Sequence, residues 1–398
     1  MRRPLPRTVV VLGWVSLLND GASEMLTPLL PLFLTATLGA GPAVVGLVEG
    51  VAEATASVLK LVSGRLADRG VAPKRLVVGG YGVSNAARPL LGLAPGWGTV
   101  LGLRFLDRVG KGLRTSPRDA LVAVATGEDD RGHAFGFQRA MDHVGATLGP
   151  LAAFLLLRAQ IDLRHVFLVS AVPGVLVLAL AGGGLPRAAR VPTSVPAPLR
   201  WGVLDGRVRA LVLASGALAL ATAPEAFLVL WARAGGLGLA SVPLLWAAAH
   251  GVKAAVATGA GRLSDRTGRL PIVAAGWAAR VAALVALATA GDGGLLVWGL
   301  FLAYAAALAS TEAAERALIG DLAPPDQKAT AFGVYHLVCG ALALPGGVLF
   351  GEIWQHVGAS AAFGASAALT LLASGALLAL ARQASIERIE RSSSRMRR

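Results

Sequence analysis

The stretch SGRLADRG at residues 63–70 returns as AGRLSDRTGR at residues 260–269. The copies lie 197 positions apart, so that Gly64 corresponds to Gly261 and Asp68 to Asp265. The same offset holds further along the chain, where Gly149 meets Gly346. A constant offset over this distance predicts two halves with the same architecture. In membrane proteins built from such repeats, the binding site lies between the repeats.

The composition is that of a protein embedded in a membrane. Of the 398 residues, 55% are hydrophobic and 15% are charged, and the mean hydropathy is +0.64. Apolar runs long enough to cross a hydrocarbon layer of about 30 Å recur from end to end. We therefore predict an all-α integral membrane protein. Twelve transmembrane helices are expected near residues 9–38, 42–63, 75–95, 98–123, 133–157, 164–184, 209–232, 241–260, 270–290, 294–319, 329–354 and 358–382.

The net charge of +14 does not indicate nucleic-acid binding, because the basic residues gather in alternate loops. Arginine stands before the first span, after the second, in the middle linker and in the tail, for example at Arg7, Arg69, Arg207 and Arg398. Lysine and arginine are enriched in cytoplasmic loops. We expect a multi-pass protein of the cell inner (cytoplasmic) membrane, in contact with the lipid bilayer and with both termini in the cytoplasm.

Several kinds of site are not expected. Cys339 is the single cysteine, the six histidines form no group with ligand spacing, and RVGKGLRTS at 108–116 lacks the spacing of a phosphate-binding loop. No pairing of a nucleophile with a base is evident. The sequence therefore predicts no metal site, no cofactor and no enzymatic activity. The basic, apolar start is interpreted as the first span rather than as a cleaved leader, because no cleavage site follows it.

Three motifs resemble those of the major facilitator superfamily. GRLADRGVAPKR at 64–75 resembles its loop signature, although Val71 stands where glycine is usual. RFLDRVGKG at 104–112 resembles its fourth-helix motif, with Asp107 and Arg108 in place of Gln-Gly. GATLGPLAA at 145–153 resembles the fifth-helix motif of the antiporter branches. NDGASEMLTPLLPLFL at 19–34 and RTSPRDAL at 114–121 resemble a bacterial branch of the same superfamily.

The resemblance implies two pseudo-symmetric six-helix bundles that rock about a central site. The bundles would cover residues 1–184 and 209–382, with a cytoplasmic linker at 185–208 and a basic cytoplasmic tail at 383–398. It also implies secondary transport of a small-molecule substrate by a protein that we expect to be a monomer. The fifth-helix motif favours export. No nucleotide-binding motif is present, so we expect an ion gradient, that of protons, to drive the movement.

The repeated loop is expected to form gates. The predicted gating residues are Gly64, Asp68, Arg69, Gly261, Asp265 and Arg266. Asp68 would meet the positive end of span eleven near Thr330 and hold the halves together on the cytoplasmic side, with Asp265 doing the same against span five. The alternative is that Asp68 only marks topology.

Glycines and prolines predict where helices approach or bend. Gly145 and Gly149 share one face of span five, and Pro150 follows, which predicts either a pivot or ordinary helix packing. Prolines are also expected to interrupt spans one, seven and eleven, at Pro28 and Pro31, Pro224 and Pro345.

Ionisable side chains within spans are costly in hydrocarbon and are usually functional. The candidate substrate and proton-binding residues are Asp20, Glu24, Glu49, Glu53, Arg88, Arg104, Asp107, Arg108, Lys111, Arg139, Asp142 and Glu225. Arg104, Arg108 and Lys111 share a stripe of span four that must face water or acidic neighbours. Glu225 is a candidate pseudo-symmetric mate of Glu24, and His336 takes the place of Arg139 in the second half.

Two uses of these charges compete, since carboxylates bind protons and arginines bind anions. A permanent ion-pair network is the third interpretation. We predict a proton-coupled exporter of a small organic anion or a metal chelate. The alternatives are a multidrug antiporter for lipophilic cations, a proton-coupled nutrient symporter and a non-transporting membrane sensor.

Overall fold

The computed structural model describes residues 4–126, 130–186, 201–291, 293–323 and 327–396, with side chains as far as residue 377 except that of residue 329. The predicted linker at 185–208 lies mostly outside the described residues. The helices of the first half are α1 (Arg7–Glu24), α2 (Leu30–Leu32), α3 (Pro42–Asp68), α4 (Pro73–Leu90), α5 (Trp97–Ala125), α6 (Arg131–Arg158), α7 (Leu163–Val169) and α8 (Ala171–Gly184). The helices of the second half are α9 (Gly206–Ala221), α10 (Glu225–Ala234), α11 (Ser241–Thr267), α12 (Arg269–Thr289), α13 (Gly294–Leu322), α14 (Lys328–His356) and α15 (Ala359–Met396).

The described chain is helical and contains no strand, in agreement with the predicted fold class. Only helices and closed barrels satisfy every backbone polar group inside a bilayer. Eight helical stretches in the described ranges are long and apolar enough to cross a membrane. The other four predicted spans correspond to α1 with α2, α4, α5 and α11. All four carry charged residues, and they supply many of the ionisable side chains of the site described below.

Two of the predicted interruptions are confirmed and one is wrong. Span one breaks between α1 and α2 around Pro28, and a π-helical turn follows at Phe33–Thr37. Span seven breaks before Pro224, after which α10 begins. In contrast, α14 runs through Pro345 without interruption. A proline removes one backbone donor, and in α14 the turns on both sides remain helical. A break that the sequence did not predict separates α7 from α8 at Ser170.

The two halves pack internally in corresponding ways. In the first half α6 packs on α1, and in the second α14 packs on α9. A β-carbon on Gly149 would lie 2.9 Å from the backbone nitrogen of Met25, and one on Gly346 would lie 2.6 Å from the carbonyl oxygen of Leu220. The paired glycines therefore have the same role in both halves: each lets a long helix, α6 or α14, approach the first span of its own half closely.

The halves meet through α3 against α14 and through α6 against α11. We call the face where α1 begins and α3 ends the terminal face, and the opposite one the far face. Near the far face the backbones of α3 and α14 touch. A β-carbon on Gly347 would lie 2.7 Å from the carbonyl oxygen of Gly46, and one on Gly351 would lie 2.8 Å from that of Pro42. Because α2 also packs on α10, the halves are closed at the far face.

The α3–α14 contact generates a prediction about the balance between conformations. Replacing Gly347 with valine forces side-chain atoms into the backbone of α3, and such overpacking costs about 1–3 kcal/mol. We expect Gly347→Val to raise the population open at the far face by about tenfold. Distances between spin labels on the far ends of the two halves would measure the change.

Gly364 provides the matched control, since it lies in α15 with no atom within 4 Å of the place where its β-carbon would stand. Gly364→Val is expected to keep the original distance distribution. An unchanged distribution in Gly347→Val would mean that the close approach of α3 and α14 does not hold the far face shut.

Candidate functional site

A cavity of about 910 Å³ lies between the halves. Its lining extends from the middle of the spans to the last turns of α3, at Gly64, Arg65 and Asp68, so it opens at the terminal face. Six of the twelve candidate substrate and proton-binding residues line it, namely Asp20, Glu24, Lys111, Arg139, Asp142 and Glu225. Asp20 and Glu24 both reach it because residues four apart share one face of α1.

At its inner end the cavity is bridged from one half to the other. Glu24 on α1 accepts a hydrogen bond from the indole nitrogen of Trp246 at 2.9 Å. The same carboxylate oxygen lies 3.4 Å from Nε2 of His250. Trp246 and His250 are one turn apart on α11 and therefore point the same way. One carboxylate of the first half is thus held by one hydrogen bond, from Trp246, and one close contact, with His250, both from the second half.

Beside this bridge a second ion pair lies within the second half. Lys253, one turn beyond His250 on α11, pairs with Glu225 at the start of α10. Its ammonium also lies 5.7 Å from the centre of the Trp246 ring. Glu225 and Glu24 line the same cavity from opposite halves, which is the placement expected of pseudo-symmetric mates.

The candidates on α4 and the inner part of α5 do not line the cavity and instead form a buried network behind its wall. Nε of Arg88 lies 2.9 Å from Oδ1 of Asp107, and Nη1 of Arg104 lies 3.4 Å from Oδ2. Asp107 and Arg88 are 1% and 3% exposed. Arg88 also donates to the backbone and side chain of Asn19 at 3.2 and 3.0 Å. The network therefore joins α1, α4 and α5.

Glu49 and Arg108 connect this network to its surroundings. Nη2 of Arg104 lies 3.4 Å from Oε1 of Glu49, which ties α3 to α5. Nε of Arg108 is 3.9 Å from Oδ2 of Asp107 and has no hydrogen-bond partner among the described residues. The stripe predicted on span four thus divides along its length: Arg104 belongs to the network, Arg108 is intermediate and Lys111 reaches the cavity. Glu53, also outside the lining, is 3.5 Å from the hydroxyl of Ser57.

The cavity's charges are not evenly paired. Asp119 lies 3.1 Å from Arg118, and Glu312 lies 2.7 Å from Arg316. Among the described residues, however, the side chains of Lys60, Lys111 and Arg139 have no carboxylate oxygen within 4.0 Å. All three belong to the first half and line the cavity. The first half therefore presents cations to the cavity that no described carboxylate pairs with.

The gating candidates fall into two groups. Gly64 and Asp68 line the mouth of the cavity, whereas Arg69, Gly261, Asp265 and Arg266 do not. Asp265 pairs with Arg269 within its own half, and Nε of Arg269 lies 3.4 Å from Asp321. In this conformation the second loop is therefore tied to α12 and α13. The stripe of Gly145 and Gly149 packs on α1, and α6 continues through Pro150.

Sequence reasoning did not single out Trp246, His250 or Lys60 as members of the site. Trp246, His250 and Lys253 recur at intervals of four and three along α11, which is a helical face, and this interval was the available signal. In the described ranges no group of three or more histidine, cysteine, aspartate or glutamate residues is arranged to hold a metal ion.

Two related helical halves with a charged cavity between them, open at one membrane face, define the class of secondary membrane transporters. The sequence profile of the Major Facilitator Superfamily matches residues 12–343. The chain belongs to this family.

Known proteins agree with this assignment. An uncharacterised MFS-type transporter of Methanocaldococcus jannaschii is 30% identical over 369 residues, which cover 89% of this chain and 90% of that protein. An uncharacterised protein of Mycobacterium bovis is 32% identical over 390 residues, with 88% and 87% covered. The crystal structure of a bacterial homologue of the human lysosomal transporter Spinster, in an inward-facing and occupied conformation, has a TM-score of 0.77. That likeness covers 94% of this chain and 96% of the other at 16% identity, and it concerns the fold.

The buried network predicts a large stability effect at Asp107. Removing one partner of a buried ion pair leaves the other charge uncompensated, which costs about 3–5 kcal/mol. We expect Asp107→Asn to lower the unfolding temperature in detergent strongly, because Arg88 and Arg104 then lose their shared carboxylate.

Glu312→Gln is the matched control for stability, since its pair with Arg316 is about half exposed on both sides and such pairs contribute about 0–1 kcal/mol. Equal unfolding temperatures for the two variants would show that the network does not stabilise the first half.

Proposed function

We propose that the protein is a secondary transporter that moves a small organic anion across the membrane by alternating access, with protons as the coupling ion. The observation that carries the proposal is a set of cavity cations, Lys60, Lys111 and Arg139, that no carboxylate of the described residues pairs with. Positive charge inside a membrane protein is costly unless it is paired. A bound carboxylate, phosphate or sulfonate, or an anionic metal chelate, supplies the missing charge.

The same observation argues against a lipophilic cation as substrate. Of its three candidate counter-charges, Glu24 and Glu225 are already held by Trp246 and by Lys253. The third, Asp20, accepts a hydrogen bond from Asn19 at 3.0 Å. A cation entering from the terminal face would also meet the positive charge of Lys60 and Lys111. An organic anion is therefore the better electrostatic match.

The proposed location of the protein is the cell inner membrane. In the proposed orientation its terminal face lies on the cytoplasmic side. The support is the distribution of arginine and lysine among the loops, which follows the rule for cytoplasmic loops. In this orientation the structure corresponds to a carrier open to the cytoplasm. Transport then requires the α3–α14 contact to open at the far face and the terminal face to close.

The direction of transport is a separate part of the proposal. Sequence favours export through the fifth-helix motif, and here that motif packs α6 on α1, a role that serves export and import alike. The direction depends on how a bound proton changes the affinity for the substrate. If the proton strengthens substrate binding, the two travel together; if it weakens binding, they travel in opposite directions.

Ligand-dependent thermal unfolding of the purified protein tests the anion assignment. We expect succinate, citrate, benzenesulfonate or ethane-1,2-disulfonate to raise the unfolding temperature, with sodium chloride at equal ionic strength as the blank. A ligand at a hundred times its Kd stabilises the folded state by about 2.7 kcal/mol. Stabilisation by tetraphenylphosphonium, with none from the four anions, would favour the multidrug alternative.

Single-charge variants locate the site. Hydrogen bonds to charged groups contribute about 1.5–3 kcal/mol, so Lys111→Gln and Lys60→Gln are each expected to weaken anion binding by about tenfold or more. Lys328→Gln is the matched control, because Lys328 is exposed at the start of α14 and does not line the cavity. If all three variants bound the anion equally, the cavity cations would not be its ligands.

The gating role proposed for Asp68 has its own test. In the conformation closed at the terminal face, its carboxylate would meet the positive end of α14, a contact worth about 0.3–1 kcal/mol. We expect Asp68→Asn, and Asp265→Asn by symmetry, to increase the population open at the terminal face and to slow transport. Spin-label distances across that face provide the measurement, and an unchanged balance with unchanged transport would contradict the latch.

A further inference from the structure

Glu24 is the place where ionisable groups of both halves meet. Its carboxylate accepts from Trp246 at 2.9 Å and lies 3.4 Å from His250, both on α11. From the first half, the positive charge of Lys111 on α5 also acts on it. Its side chain is 22% exposed, toward the cavity. A single carboxylate thus connects the proposed anion site to the opposite half.

The surroundings of Glu24 are mostly positive. On α5, Arg104, Arg108 and Lys111 all act on its charge. On α11 it faces His250, which in turn is within electrostatic range of His143 on α6. The negative charge of Glu225 on α10 is paired with the ammonium group of Lys253. Protonation of Glu24 therefore removes the negative charge that faces Lys111 from α1.

A proton on Glu24 and an anion near Lys111 must strengthen each other's binding. When Glu24 is neutral, the positive charge of Lys111 is less compensated and, of the described carboxylates, Glu53 on α3 still acts on it, so an anion gains more by binding there. By thermodynamic reciprocity, a bound anion favours uptake of the proton to the same extent. The charge of the substrate thus sets the sign of the coupling.

The bridge to α11 adds a conformational requirement. Opening the far face separates the first half from the second at this level, which takes Trp246 and His250 away from Glu24. An ionised carboxylate that loses the Trp246 hydrogen bond and the His250 contact is less stable, because a hydrogen bond to a charged group contributes more than one between neutral groups. The ionised and empty carrier is thereby held in the present conformation, and neutralising Glu24 releases it.

We propose that Glu24 is the proton-binding residue of the transport cycle, that its bridge to Trp246 and His250 holds the ionised empty carrier in this conformation, and that proton and anion consequently travel in the same direction. The statement about the anion rests on the proposed function. With the terminal face in the cytoplasm and a proton gradient directed inward, such a carrier takes up its substrate. This is the symporter alternative and not the export that the fifth-helix motif favours.

The first experiment measures protons released or taken up when an anion binds to the purified full-length protein in weak buffer. Benzenesulfonate and ethane-1,2-disulfonate are the probes, because sulfonates do not titrate near neutral pH and every proton detected belongs to the protein. We expect net uptake of a fraction of a proton per bound anion, and binding that is tighter by about fivefold at about pH 5.5 than at about pH 8.

Glu24→Gln is expected to bind the sulfonates without proton uptake and with little pH dependence. Glu352→Gln is the matched control, because it too has a histidine partner, His356 at 3.2 Å, but that pair is exposed and lies outside the cavity. It should behave as the unaltered protein does. Proton release on binding, or uptake that persists in Glu24→Gln, would overturn the inference.

Asp142 is the rival proton site that the test must separate. One of its carboxylate oxygens is buried without a hydrogen-bond partner among the described residues, and Asp20 and Arg139 act on its charge. Loss of proton uptake in Asp142→Asn together with normal uptake in Glu24→Gln would assign the proton to Asp142 and contradict our proposal.

The second experiment needs no anion and so distinguishes the failure of this inference from failure of the proposed function. Spin-label distances across the far face are expected to show more opening at about pH 5.5 than at about pH 8, with the pH response absent in Glu24→Gln. Trp246→Phe, which keeps the ring and removes the N–H donor, should raise opening at about pH 8. A pH response unchanged in Glu24→Gln, or a Trp246→Phe protein as closed as the original, would refute the bridge. If the bridge is upheld but no sulfonate, succinate or citrate binds, only the anion assignment falls.

Discussion

Asp107 holds the guanidinium groups of Arg88 and Arg104 inside the first half, and this one carboxylate determines how α1, α4 and α5 lie together. Charges in the hydrocarbon region must face each other or water. The network therefore fixes the rotation of α5 about its axis. Once Arg104 points inward, Lys111 two turns later has to point into the space between the halves. The charge of the cavity wall is a consequence of the buried ion pairs behind it.

Much of the architecture could be predicted from the sequence because it depends on local chemistry and on the repeat. The constant offset of 197 correctly paired Gly149 with Gly346, and both pack on the first span of their half. Prolines in α1 to α2 and before α10 correctly marked breaks, since the neighbouring residues there leave helical geometry. Pro345 was misleading because a single missing donor does not end a helix that is packed on both sides.

The division of the site could not be predicted, because it depends on contacts between distant segments. Arg104 and Lys111 carry similar charges on one helical stripe, and only the positions of Asp107 and Glu49 show that one is buried and the other faces the cavity. Trp246 could not be assigned to the site from the sequence, because a buried indole N–H needs an acceptor and its acceptor lies 222 positions away in the other half. Its role as a donor to Glu24 becomes visible only when the halves are placed side by side.

The glycine contact between α3 and α14 has an electrical consequence. A wide cavity full of water carries the potential of the compartment to which it opens, whereas two touching backbones leave no path for ions. Most of the transmembrane voltage therefore falls across the short packed layer between the inner end of the cavity and the far face. Each elementary charge that crosses this layer when the carrier turns over gains or loses about 2.3 kcal/mol per 100 mV. The membrane voltage therefore acts mainly on the packed layer at the far face, which is the layer that must open during transport.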